Sequence, residues 1–353
     1  MGTPLRPREP IRIEGDDQLV GERGVATTEV EGREVFVIEG WELLAMRSPA
    51  IEIVETTRPL IVRRCNIIGN RAQPGIVLRE VEEVVIENCM IAQVSEGVAV
   101  MDAERVGIHH CRILDVQGNG VHIARSRAAS VSELRVENCQ QRGIYLRNVR
   151  QIALRNCTLR RNQEGVVLWD AGETSVTRCH IEECEFDGLF VTSSSTILIA
   201  ENRVVRSEGF GIRTWVSDRL RIVGNAIRGH RMAGLYLKHC RLASVRSNRI
   251  EECGVALWLD TVWRSEIYNN YFACHTNCRI DGRCGFIVWA TPRIPGRNIV
   301  GGSYLGGNYW SDYTGQDRDN DGIGEDPYVI DHINVDELPL VAPTLKEEAG
   351  KEP

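Results

Sequence analysis

Apolar residues recur along this chain in two short phrases that return together about every 23 positions between Gly75 and Trp289. The first phrase is a glycine followed by alternating apolar positions, as in Gly75-Ile76-Val77-Leu78, Gly97-Val98-Ala99-Val100, Gly120-Val121-His122-Ile123 and Gly143-Ile144-Tyr145-Leu146. It recurs at Gly165, Gly188, Gly211 and Gly234. The second phrase, about ten residues on, is an aliphatic residue, then a Cys or Asn, then another aliphatic. Ile86, Cys89 and Ile91 show it, as do Ile222, Asn225 and Ile227. Alternation with period two makes these segments strands with one apolar face. Units of this length bury that face only against their neighbours, so they stack into a solenoid. Three short strands joined by tight turns in 22 or 23 residues predict one rung of a parallel β-helix. Propeller blades need roughly 40 residues, and the leucine-rich pattern is absent.

The repeat sets the expected boundaries: an N-terminal arm and cap over 1–50, rungs over 51–300, a C-terminal cap over 301–341 and a disordered tail over 342–353. Residues 1–10 read as loose, and Ile11-Arg12-Ile13 as a first strand. About ten rungs give a stack roughly 48 Å long at about 4.8 Å per rung. The 28-residue gap between Cys111 and Cys139 predicts a bulge over 124–132, and 274–284 reads as an insertion before the last rung.

The twelve cysteines do not read as a disulfide framework. Cys65, Cys89, Cys111, Cys139, Cys157 and Cys179 are assigned to one interior column that Asn202, Asn225, Asn248 and Asn270 continue. Reduced thiols suit such a column as small buried hydrophobes, and stacked Asn amides hydrogen-bond along it. Cys184 and Cys253 fall three rungs apart, about 14 Å, too far for a bond.

A net charge of -7 gives no basic footprint for nucleic acid, and no run is long and apolar enough for a membrane span. The start lacks the apolar core of a signal peptide, which leaves two expectations: a cytoplasmic protein, or a periplasmic or extracellular one whose signal has been removed.

Four groups could carry chemistry. In Asp317-x-Asp319-x-Asp321-Gly322-Ile323, alternate carboxylates and a backbone carbonyl suit calcium, with Asp326 closing the shell. Counting from each glycine, the second and fourth residues face outward. His122, Tyr145, Phe190 and Tyr236 fall in one column and Trp169, Trp215, Trp258 and Trp289 in the other, with Arg147, Asp170, Arg213 and Lys238 between them. Such a strip suits sugar rings or a protein partner. Glu164 and Asp187 precede the glycines of adjacent rungs, about 5 Å apart, the spacing of a retaining glycosidase pair, with Arg142 one rung below. Cys274, His275, Cys278 and Cys284 offer three thiols and an imidazole that could hold zinc, or a disulfide.

The stretch Val35 to Trp41, the Cys/Asn rungs, Gly307-Asn308-Tyr309-Trp310-Ser311-Asp312-Tyr313, the acidic loop through Gly324 and Asp326-Pro327-Tyr328 together resemble the NosD-like right-handed β-helix proteins. These belong to a group of carbohydrate-binding proteins and sugar hydrolases. The resemblance implies an all-β, single-stranded right-handed parallel β-helix. Its members include copper-site maturation factors, surface proteins and polysaccharide-active enzymes, but no Met/His-rich copper tract occurs here. The reading favoured is a non-catalytic scaffold that binds a polysaccharide or envelope protein through its aromatic face, with structural calcium. The alternatives are a polysaccharide hydrolase or lyase and a copper-maturation accessory protein.

Overall fold

β-Branched and aliphatic residues at every second position give each short segment one dry edge, and only stacking covers it. A computed structural model describes residues 5–21 and 24–342 and shows that stack, an all-β right-handed parallel solenoid of about 11 turns. In the rung that begins at Gly120 the three strands are Val121–Ala124, Ser130–Ser132 and Arg135–Glu137. Val121–Ala124 pairs in parallel with Val98–Met101 on one side and Arg142–Arg150 on the other. First and second strands merge into a 23-stranded sheet, and third strands form a 13-stranded sheet. Val121, Ile123, Val131 and Val136 from this rung are all fully buried. Burying each such side chain is worth about 1.5–3 kcal/mol.

The glycine that opens each rung answers to close approach. A Cβ on Gly211 would lie 2.6 Å from the Gly234 carbonyl oxygen and 2.6 Å from an Ile227 methyl group. Turns between first and second strands instead use a left-handed residue, including Asp170 (φ 51), Ser193 (φ 50) and Val216 (φ 49).

Two interior columns run the length of the solenoid. Matching backbone bonds place Cys111, Leu134, Cys157, Cys179 and Asn202 at one position, and Val116, Cys139, Asn162, Cys184, Ser207, His230 and Cys253 at another. This corrects the expected column: Leu134 holds the place assigned to Cys139, the rung is regular, and 124–132 carries no bulge. All twelve cysteines are free. From Asn202 the first column becomes an amide ladder. Asn202, Asn225, Asn248 and Asn270 each donate from Nδ2 to the next Asn Oδ1 at 2.9–3.0 Å, and the last acceptor is Asn308 of the C-terminal cap.

The ends depart from the predicted boundaries. Arg6–Arg8, expected to be loose, pairs with Trp41–Ala45, and Ile11–Glu14 pairs with Ile51–Thr56. Arg33–Glu39 already pairs with Leu60–Arg63, so rungs begin before residue 51. The helix Asp16–Gly21 buries Leu19 at this end. At the other end Thr276–Asp281 pairs with Val255–Asp260, which makes it the first strand of a rung and not an insertion. Tyr309–Trp310 extends the 13-stranded sheet beside Tyr271–Ala273. Asp336, fully buried, accepts the Asn308 N–H at 2.7 Å and the Trp310 indole N–H at 2.9 Å. Of the tail expected to be disordered, 343–353 lies outside the described residues.

Candidate functional site

First strands point their second and fourth positions away from the solenoid interior, and strand register assigns each side chain to a column. His122 pairs with Tyr145, Phe190 with Arg213, Arg213 with Tyr236, Tyr236 with Trp258 and Trp258 with Arg279. Trp258 therefore belongs to the second-position column, a correction that follows from Ala256 taking the glycine's place in that rung. Trp289 is a second correction. It is 3% exposed, lies against Trp310 and donates its indole N–H to Asn334 at 3.2 Å, because it serves the cap and not a first strand.

The second-position column is closed on itself. His122 stacks on Tyr145 (4.9 Å), Phe210 on Tyr236 (5.0 Å) and Tyr236 against Trp258 (4.8 Å). The Arg142, Arg213 and Arg279 guanidiniums cover Tyr145, Phe190 and Trp258 at 4.6, 4.0 and 4.1 Å. These faces are already occupied by one another, each contact worth roughly 0.5–1.5 kcal/mol. Phe210 and Arg279 escaped the sequence reading because their neighbours become visible only once the rungs are aligned.

The position before the glycine stacks Glu96, Asn119, Arg142, Glu164, Asp187 and Phe210. Glu164 and Asp187 occupy adjacent rungs, but each already has a partner. Arg142 Nε is 3.1 Å from Glu164, and Arg213 Nε is 2.6 Å from Asp187, though its N–H points off the line of a good hydrogen bond. Asp187 also accepts the Phe210 N–H at 3.0 Å and is 3% exposed. Burial raises both carboxyls above the usual range despite these arginines. His122 carries a buried Nε2 without a hydrogen-bond partner, and burial, then Arg142, Arg147 and Arg125, lower its pKa.

In the fourth-position column Arg147, Trp169, Thr192, Trp215 and Lys238 follow rung by rung. Trp169 and Trp215 are each 47% exposed, with the buried Thr192 between them, so two indole faces stand two rungs apart, about 9.6 Å. Lys238 is paired with Asp260 at 2.9 Å, whereas Arg147 is exposed and has no ion-pair partner among the described residues. A cleft of about 450 Å³ borders this column, lined by Asp170, Ser193, Ser195, Asp218, His239 and Arg241 among others. Asp170 thus joins the Trp pair, held by Arg150 at 3.4 Å.

In the acidic loop Asp317, Asp319 and Glu325 bring their carboxylate oxygens within 4.8 Å of one another. Asp317 accepts the Asp321 and Gly322 N–H groups, and Glu325 the Arg318 N–H. Of the expected calcium set, Asp317 and Asp319 belong to this gathering. Asp321 is ion-paired with Arg293, Ile323 pairs with Leu340, and Asp326 gives its carbonyl to the Tyr313 hydroxyl. Glu325, which was not in the expected set, supplies the third carboxylate of the gathering. The proposed zinc set does not assemble. Cys274 continues the Cys253 column, Cys278 is in register with the interior Leu257, and Cys284 accepts the Val262 N–H, while His275 is exposed.

Comparison with known proteins agrees with the architecture. Among solved structures, the A-module of the Azotobacter vinelandii mannuronan C-5 epimerase AlgE6 matches 72% of this chain and 82% of its own at 12% identity and a TM-score of 0.63. The AlgE4 A-module of the same organism matches 80% and 89% at 12% identity and 0.53. The Dettilon tailspike protein matches 67% and 55% at 13% identity and 0.55. No curated protein matches. A right-handed beta helix region is recognised over residues 49–172, and a model described as periplasmic copper-binding protein (NosD) matches residues 116–315. Copper favours imidazole, thiolate or thioether donors. Among the described residues the only gathering of three His, Cys, Asp or Glu groups is the carboxylate trio of the cap, a hard-oxygen set unlike those donors. With more than half of its length matched, the chain belongs to the NosD family.

Proposed function

We propose that this chain is a non-catalytic, polysaccharide-binding β-helix that works outside the cytoplasm, as its family's description suggests. The observation that carries the reading is the pair of half-exposed indoles, Trp169 and Trp215, at one column position beside a polar cleft. An exposed Trp leaves a large flat apolar face in water, and two at a fixed spacing form a platform. Sugars have an apolar ring face to lay on such a platform and hydroxyls for Asp170, Ser193, Ser195 and His239 alongside. A protein partner would favour a broader apolar patch than two rings divided by polar residues. Glu164 and Asp187 serve the binding face structurally, since a nucleophile or acid must reach its substrate and Asp187 is closed off. No helix among the described residues is long and apolar enough to cross a membrane. The cap trio Asp317, Asp319 and Glu325 is the proposed calcium site, with a structural role.

The test is a panel of polysaccharides bound to wild type, Trp169→Ala and Trp215→Ala, with product analysis on every polymer bound. Retention that needs both indoles and leaves the polymer intact supports the reading. Cleavage or epimerisation that Glu164→Gln abolishes would replace it with an enzyme.

A further inference from the structure

We propose that the polymer is a polyuronate, with one carboxylate held by Arg147 while the adjoining sugar ring lies on Trp169. This rests on the polysaccharide reading and adds the chemistry of the ligand.

Among the cations of the first-strand face between Arg142 and Arg279, four are already neutralised: Arg142 by Glu164, Arg213 by Asp187, Lys238 by Asp260 and Arg279 by Asp281. Arg147 has no such partner among the described residues and is exposed, directly in register with Trp169 on one side and the small Ala124 on the other. Its own turn neighbour is Asn148, which is neutral, and Asp170 in the next rung is taken by Arg150. Arg125 and Arg142, which also bear on His122, are paired with Asp102 and Glu164, so Arg147 is the cation of this group left without a carboxylate among the described residues. A planar guanidinium offers a two-pronged match to a carboxylate. A neutral sugar would leave this charge unanswered.

The proposal separates from its parent on one polymer backbone. Polygalacturonate and its fully methyl-esterified form share one backbone and differ only at C6, a carboxylate against its neutral methyl ester, and alginate supplies a second polyuronate. Affinity electrophoresis or calorimetry with neutral mannan and galactan completes the panel. Wild type is expected to hold the polyuronates at least tenfold more tightly than the ester, and Arg147→Gln to lose roughly tenfold on the polyuronates and nothing on the ester. Melting of Arg147→Gln should match wild type, because the side chain is exposed. Equal binding of acid and ester, or of Arg147→Gln and wild type, overturns the proposal and leaves the polysaccharide reading standing. Binding of neutral glycans alone does the same. Silence on every polymer overturns both.

Discussion

Asn248→Ala tests whether the amide ladder holds the C-terminal rungs together. Asn248 Oδ1 accepts the Asn225 backbone N–H at 3.0 Å and Asn225 Nδ2 at 2.9 Å. Its own Nδ2 donates to the Ile222 carbonyl at 2.8 Å and to Asn270 Oδ1 at 3.0 Å. Truncation strands the Asn225 N–H in a dry interior, at about 1–3 kcal/mol. It also removes amide bonds whose other partners keep a tie: Asn225 Nδ2 retains the Ile199 carbonyl, and Asn270 Oδ1 retains the Asn248 N–H. Those losses add roughly 1 kcal/mol each, for a total of about 3–5 kcal/mol. Cys157→Ala, at the same column position in the thiol half, breaks no comparable amide bond and is expected to cost less than half as much. Urea denaturation gives the totals, and hydrogen exchange at the Asn225 amide gives the local effect. A loss below about 1 kcal/mol with the Asn225 amide still protected would refute the reasoning.

Burial pushes the Asp336 carboxyl up to about 6 against its hydrogen-bond donors. A raised folded pKa means that its stabilising contribution is complete below pH 4 and is lost as pH rises through 6, by about 3 kcal/mol. The melting temperature of wild type should therefore fall relative to Asp336→Asn between pH 4 and pH 7, and parallel curves would sink the idea. Val216 holds a left-handed φ of 49° and is 51% exposed, so Val216→Asn is expected to raise the unfolding free energy, read by urea denaturation, by about 0.5–1 kcal/mol; a loss would show that its packing outweighs the strain. Calcium at about a hundred times its Kd should add roughly 2.7 kcal/mol to unfolding, reversed by chelator and absent in Asp319→Asn. Unchanged melting with calcium would dismiss the cap trio as a site.

The solenoid was legible because stacking imposes one period on every rung, and a glycine at the close approach marks each start. What misled was chemistry that the fold treats as equivalent. Leu134 and a cysteine fill the same dry interior column, so spacing from Cys111 to Cys139 counted across two columns. Ala256 replaces a glycine, which shifted Trp258 into the wrong column, and Gly285 belongs to a bridge with Trp263, not to a first strand. Alternation told which side chains point outward. It could not tell that Tyr145, Phe190, Tyr236 and Trp258 lie against neighbours one rung away, because that depends on rotamers and register. Glu325 was not counted for a related reason: spacing was read along the chain, whereas the fold brings its carboxylate beside Asp317 and Asp319.

The stacking of Arg147, Trp169, Thr192 and Trp215 makes the outer face a graduated ruler. Groups there can be moved along the axis only in whole divisions of about 4.8 Å, since a smaller shift would break the register of every column beneath. Point mutation changes what stands at a mark, and only gain or loss of an entire repeat changes the distance between marks. Excising 188–210 would join Asp187 to Gly211, keep a Cys-to-Asn step in the interior, and set the two indoles on neighbouring divisions. A lineage built this way retunes the spacing of its outward groups by duplication and deletion.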